Sequence, residues 1–113
     1  MNFEAQLKAF LSLHFENVFA DSPNPEPDTY ITFERTGGKA GNVIVDEPQV
    51  AIQCYAPTRY AASQLAKQVW DTLPLITSFA APFTRVEREG LYNYPLEHRP
   101  RYQIVATFTV ADY

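Results

Sequence analysis

Phe3, Leu7, Phe10, Leu11, His14 and Val18 recur at three- and four-residue spacing, the repeat of one helical face. Phe15 and Phe19 widen that stripe, and no Gly or Pro interrupts it, so the pattern predicts a helix over residues 2–20. The run from Asp21 to Asp28 ends it, because Pro23, Pro25 and Pro27 at alternate positions forbid a helix and favour a stiff, extended crossing. Residues 29–35 alternate and carry β-formers, which predicts a strand. Thr36 to Asn42 contains Gly37, Gly38 and Gly41 and reads as a loop with residues free to take positive φ. A second strand is expected over residues 43–56, interrupted near Asp46-Glu47-Pro48. Val50, Ile52 and Cys54 share one of its faces; Gln49, Gln53 and Tyr55 share the other.

Thr58 is placed to cap a helix over residues 58–73, whose buried stripe is Ala62, Leu65, Ala66, Val69 and Leu73 and which Pro74 should end. A strand follows over residues 83–89, then a turn at Gly90 and an irregular stretch from Leu91 to Pro100. The last strand, residues 102–110, alternates most cleanly, with Tyr102, Ile104, Ala106, Phe108 and Val110 on one face. One packed and one wet face is an antiparallel-sheet pattern. The order α-β-β-α-β-β predicts an α+β two-layer sandwich: a four-stranded, mainly antiparallel sheet with two helices on one face.

The chain has 113 residues, which suits one domain over residues 1–113. Nine basic against thirteen acidic residues give a net charge of −4, which argues against a dedicated nucleic-acid module. Charge is uneven: residues 1–34 hold six acids and one base, net −5, while the rest holds eight bases and seven acids, net +1. No apolar run is long enough for a membrane helix, and the first residues lack the layout of a signal peptide. A single cysteine excludes an internal disulfide. The expectation is a small soluble domain of a reducing cytoplasm.

Candidate chemistry is sparse. Cys54 lies within an apolar strand with no histidine nearby in sequence, so a buried inert thiol is expected. His14 reads as part of a helix stripe and His98 as a surface residue; neither suggests a metal site. The Gly-rich segment from Arg35 to Asn42 lacks phosphate-loop spacing and leads into a strand instead of a helix. Arg85, Arg88, Arg99 and Arg101 are mixed with Glu87, Glu89 and Glu97, a charge-paired surface and not a nucleic-acid groove. No catalytic residue, metal or cofactor is expected.

An ordered set of motifs carries a resemblance. It comprises Arg-Thr-Gly-Gly at Arg35 to Gly38, acidic-x-Pro at Asp46 to Pro48, Tyr-Ala-Pro-Thr at Tyr55 to Thr58 leading into an Ala-rich helix, and Pro-Arg-Tyr at Pro100 to Tyr102. Across residues 28–110 the chain resembles the tail-terminator, or tail-completion, proteins of long-tailed phages and prophages of actinobacteria. The resemblance implies an α+β subunit of a ring, typically hexameric, that caps the tail tube and meets the head connector. The implied partners are further copies of the chain, the tail tube protein and the head–tail connector protein. The implied setting is the virion tail, assembled in the host bacterial cytoplasm, with no enzyme activity, no nucleic-acid specificity and no membrane. A head–tail connector protein and a small ligand- or RNA-binding α+β domain are the alternatives.

Two segments are expected to make the contacts, Arg35–Asn42 and Leu91–Arg101, because both exceed a minimal turn. The candidate interface residues are Arg35 and Lys39 in the first, and Tyr92, Tyr94, Arg99 and Arg101 in the second. Tyr and Arg are enriched at interfaces, and the two basic residues could meet the acidic N-terminal part of a neighbour.

Overall fold

The computed structural model describes residues 3–42, 45–79, 83–97 and 99–111, with the backbone alone for residues 39–42. The elements are α1 (Phe3–His14), β1 (Val18–Phe19), β2 (Tyr30–Asn42), β3 (Val45–Tyr55), α2 (Arg59–Thr72), a single 3₁₀ turn (Leu73–Leu75), α3 (Ile76–Phe79), β4 (Phe83–Asn93) and β5 (Arg101–Ala111). The fold is α+β, with two main helices packed against an open, mixed but mostly antiparallel sheet. That sheet has five strands in the order β1-β2-β3-β5-β4, not the four the sequence suggests.

The extra strand comes from the end of the first helical pattern. The helix stops at His14, not at residue 20. Phe15 N–H still donates to Leu11 C=O at 2.8 Å, but Asn17 then takes φ 58°, a left-handed conformation that Asn tolerates better than most residues. The chain reverses there, and Ile31 N–H donates to Asn17 C=O at 2.9 Å. Val18 and Phe19 therefore pair in parallel with Ile31 and Thr32, so Val18 fills the core from a strand. His14 ends the helix exposed, its ring edge-on to Phe10 at 5.1 Å.

The Gly-rich segment is also not a loop. β2 runs unbroken from Tyr30 to Asn42 against β3, with register shifts between Arg35 and Gly37 and between Ala40 and Asn42. The interruption expected near Asp46-Glu47-Pro48 is seen toward β5, where the ladder passes from Asp46 to Gln49 without pairing Glu47 or Pro48, while toward β2 the pairing continues and the bulges lie in β2. Gly38 pairs with Pro48 at φ +100°, and a Cβ there would sit 2.1 Å from Glu47 O and 2.7 Å from Gln49 N. Only glycine lets the bulged strand pass so close to its neighbour.

α2 matches its pattern closely. Thr58 Oγ1 accepts from Ala61 N–H at 3.1 Å, and Ala62, Ala66 and Val69 are buried. Pro74 does not stop the helical path. It sits at the start of the 3₁₀ turn, where its missing N–H costs little, and the chain continues into α3. The turn expected at Gly90 is a bulge between Arg88 and Gly90 within β4. One core cluster joins α1, the β2, β3 and β5 residues Phe33, Ile52 and Ile104, and α2. Phe3, Phe83 and Phe108 form its aromatic knot, with centroids 5.5–6.0 Å apart. Each such fully buried side chain contributes about 1.5–3 kcal/mol. Cys54 lies in this cluster, and burial pushes its thiol up to about 12.

Candidate partner-binding face

Strand alternation sends Thr32, Gln53, Gln103 and Tyr92 to the sheet face opposite the core cluster, and the register lines them up across β2, β3, β5 and β4. They form a directional chain of hydrogen bonds. Thr32 O–H donates to Gln53 Oε1 at 3.2 Å, Gln53 Nε2 donates to Gln103 Oε1 at 2.9 Å, and Gln103 Nε2 donates to the Tyr92 hydroxyl at 2.5 Å. Further along the same face, the bulged Glu89 accepts from Thr107 Oγ1 and from Gln49 Nε2.

The neighbouring row is Tyr30, Tyr55 and Arg101. The two rings stack with centroids 4.2 Å apart and planes 9° from parallel, and they are 2% and 3% exposed. A tyrosine pair so deeply covered is no stacking platform for bases. Burial, reinforced by the hydrogen bond to Glu26, pushes the Tyr30 hydroxyl up to about 12. Arg101 is 8% exposed; its guanidinium lies 4.8 Å from the Tyr94 ring and 5.6 Å from the Tyr55 ring. Its Nε donates to Tyr94 C=O at 2.8 Å and its Nη1 to the Tyr55 hydroxyl at 3.1 Å.

Arg99 fastens the proline-rich crossing to this row. Its Nη2 donates to Pro27 C=O at 2.6 Å and Asp28 C=O at 3.0 Å, and its guanidinium lies 5.2 Å from the Tyr30 ring. Nε is buried without a hydrogen bond, 3.8 Å from Glu26 Oε2. Glu26 in turn accepts from the Tyr30 hydroxyl at 3.0 Å. Arg99 and Arg101 thus act as internal pins.

The six residues expected at an interface therefore separate. Tyr92 and Tyr94 are brought together, edge-on at 6.0 Å, and with Leu96 they leave 41%, 48% and 47% of their surface open. Arg35 lies elsewhere and makes a bidentate pair with Asp46 of its own chain, at 2.9 and 3.0 Å, so an acid is already bound. Lys39 pairs through its backbone opposite Glu47; its side chain lies outside the described residues, as does His98. The first three residues of the expected irregular stretch are strand, since β4 runs to Asn93, and Tyr94 N–H still bonds Arg101 C=O. The residues that sequence reasoning passed over as contributors here are Thr32, Gln53 and Gln103. Their signal was the polar alternation itself, which could be assembled into a chain only once the strand order was known.

Among the described residues no group of three or more His, Cys, Asp or Glu is arranged to hold a metal ion. No helix among them is long and apolar enough to cross a membrane. No family model matches the sequence, and no curated protein matches it.

Proposed function

We propose that this chain is a structural virion-assembly protein, a ring subunit that caps a phage tail tube and joins it to the head connector. The observation that carries the reading is the exposed pair Tyr92 and Tyr94, with the exposed Leu96 close by in sequence, standing on a row of side chains held by internal hydrogen bonds. Exposed aromatics on a preorganised base lose little freedom on binding and suit an interface. The motif set from Arg35 to Tyr102 supports the specific assignment. On this reading both helices cover one sheet face as a two-layer sandwich, supported by the single core cluster, and the opposite face meets a neighbour in a hexameric ring or the tube end. The chain then works in the virion tail, after assembly in the host cytoplasm, and catalyses nothing.

The test uses growing tails. Tyr92→Ala with Tyr94→Ala removes exposed surface and the Tyr94 ring beside Arg101 but keeps every hydrogen bond of the two arginine pins, so circular dichroism should show an unchanged fold. Added to assembling tails, this variant should fail to limit tail length and fail to join heads. Normal length control and joining would show that the face has been assigned wrongly.

A further inference from the structure

Arg101 is the one charged side chain among the described residues that is buried. A buried charge is ordinarily matched by an opposite one. Arg101 instead has neutral oxygens, Tyr94 C=O and the Tyr55 hydroxyl, and two aromatic rings. Among the described residues no carboxylate pairs with it, and its Nη2 makes no hydrogen bond. The side chain lines a cleft of about 340 Å³ that also touches Thr32, Gln53 and Tyr55, all buried or half-buried. The exposed Asp21, Ser22 and Glu34 form its rim.

We propose that this cleft docks an acidic side chain of a partner polypeptide, whose carboxylate pairs with the open edge of Arg101. The planar guanidinium fork matches a carboxylate, and its two engaged nitrogens hold it in place before binding. The rim adds selectivity. Asp21 and Glu34 repel a polyanion such as a nucleic-acid backbone, and they favour an acidic residue that has a basic one close by in its own chain. The partner segment is therefore of mixed charge, with the acid entering and the base remaining at the rim. This goes beyond the assembly proposal and does not depend on it.

The experiment is a titration of the ¹⁵N-labelled protein followed by NMR. The probes are the capped peptide Gly-Glu-Gly-Lys-Gly, the same peptide with Gln for Glu, and inorganic phosphate. The Glu peptide should shift the Arg101 Nε–H and the Thr32 and Gln53 amides saturably. The Gln peptide should bind about tenfold more weakly or worse, the loss expected for one charge-assisted contact. Arg101→Met should abolish the shifts. Ser22→Trp, an exposed change that covers the rim and leaves Arg101 in place, should abolish them too, which keeps the test decisive if Arg101→Met does not fold. Equal binding of both peptides, no shift with either, phosphate binding as tight as the Glu peptide, or undiminished binding by Ser22→Trp would overturn the proposal. A failed titration removes the cleft alone; the tail assay still judges the assembly role.

Discussion

Gly38→Ala, compared with Gly37→Ala one residue earlier, isolates the tightest backbone approach in the sheet. At Gly38 the backbone has φ +100°, and an added Cβ would lie 2.1 Å from Glu47 O, 2.7 Å from Gln49 N and 2.9 Å from Pro48 Cα. The conformation alone costs a residue with a Cβ about 1–2 kcal/mol. The collision is with main chain, which cannot swing aside, so β2 must draw away from β3 by about an ångström. One or two ladder hydrogen bonds then lengthen or break, adding about 1–3 kcal/mol. The sum is a loss of about 2–5 kcal/mol, or about 8–20 °C in melting temperature for a domain of this size. At Gly37 the same atom would meet only Gln49 Oε1 at 3.6 Å, an ordinary contact. Gly37→Ala should therefore lie within about 0.5 kcal/mol of the parent, or slightly above it through a less flexible unfolded chain. Urea unfolding at matched slopes measures both. Gly38→Asn separates the two causes: Asn accepts positive φ more readily than Ala but carries the same Cβ, so it should not rescue. Equal midpoints for Gly37→Ala and Gly38→Ala would refute the reasoning.

Phe108→Ala empties the aromatic knot with Phe3 and Phe83 and should cost about 3–5 kcal/mol, whereas Thr107→Ala loses only a bond to Glu89 and should cost about 1 kcal/mol; equal unfolding midpoints would mean the two faces are reversed. Arg99→Gln removes the bonds to Pro27 and Asp28, so hydrogen exchange and proteolysis should accelerate between Ser22 and Thr29 while β3 and β5 keep their protection. Stability should also fall in alkali. Unfolded Cys ionises from about 9 and unfolded Tyr from about 10, while folded Cys54 and Tyr30 hold their protons to about 12, so the unfolded state loses protons first as pH rises through that window. Cys54→Ala with Tyr30→Phe should flatten the decline in unfolding free energy between about pH 8 and about pH 11; an unchanged slope would place its origin elsewhere.

What could be read from the chain depended on how local the deciding physics was. α2 was legible because its cap, stripe and small residues all lie within one stretch, from Thr58 to Leu73. β5 was legible because Ile104, Ala106, Phe108 and Val110 alternate without a break. The end of α1 was not. Val18 continues the helical stripe as well as it fits a strand, and the choice turns on Asn17 reversing the chain to reach Ile31, a partner whose position no local pattern reveals. Gly37, Gly38 and Gly41 signal backbone freedom, which serves a flexible loop and a bulged strand equally. Residue type singled out Tyr92 and Tyr94 together with Arg99 and Arg101; the structure leaves the two tyrosines exposed, buries Arg101 and ties Arg99 to the proline-rich crossing. Sequence alone does not show that Arg101 is buried and held by two of its nitrogens; burial and hydrogen bonding do.

The chain of side chains from Thr32 to Tyr92 has a sense as well as a length. Gln53 and Gln103 each accept from the strand on one side and give to the strand on the other, with Thr32 as the first donor and Tyr92 as the last acceptor. Neither amide can be turned over alone, because flipping one would set oxygen against oxygen or nitrogen against nitrogen where Gln53 meets Gln103. The orientation of the amide on β3 is thus imposed on the amide on β5. Tyr92, the last member, accepts a hydrogen bond from Gln103 Nε2–H on its oxygen and so keeps its own hydrogen for the outside. The sheet hands solvent a directed O–H at that point, and a neighbour that brings a carbonyl or carboxylate there completes the series, while one that brings an N–H does not.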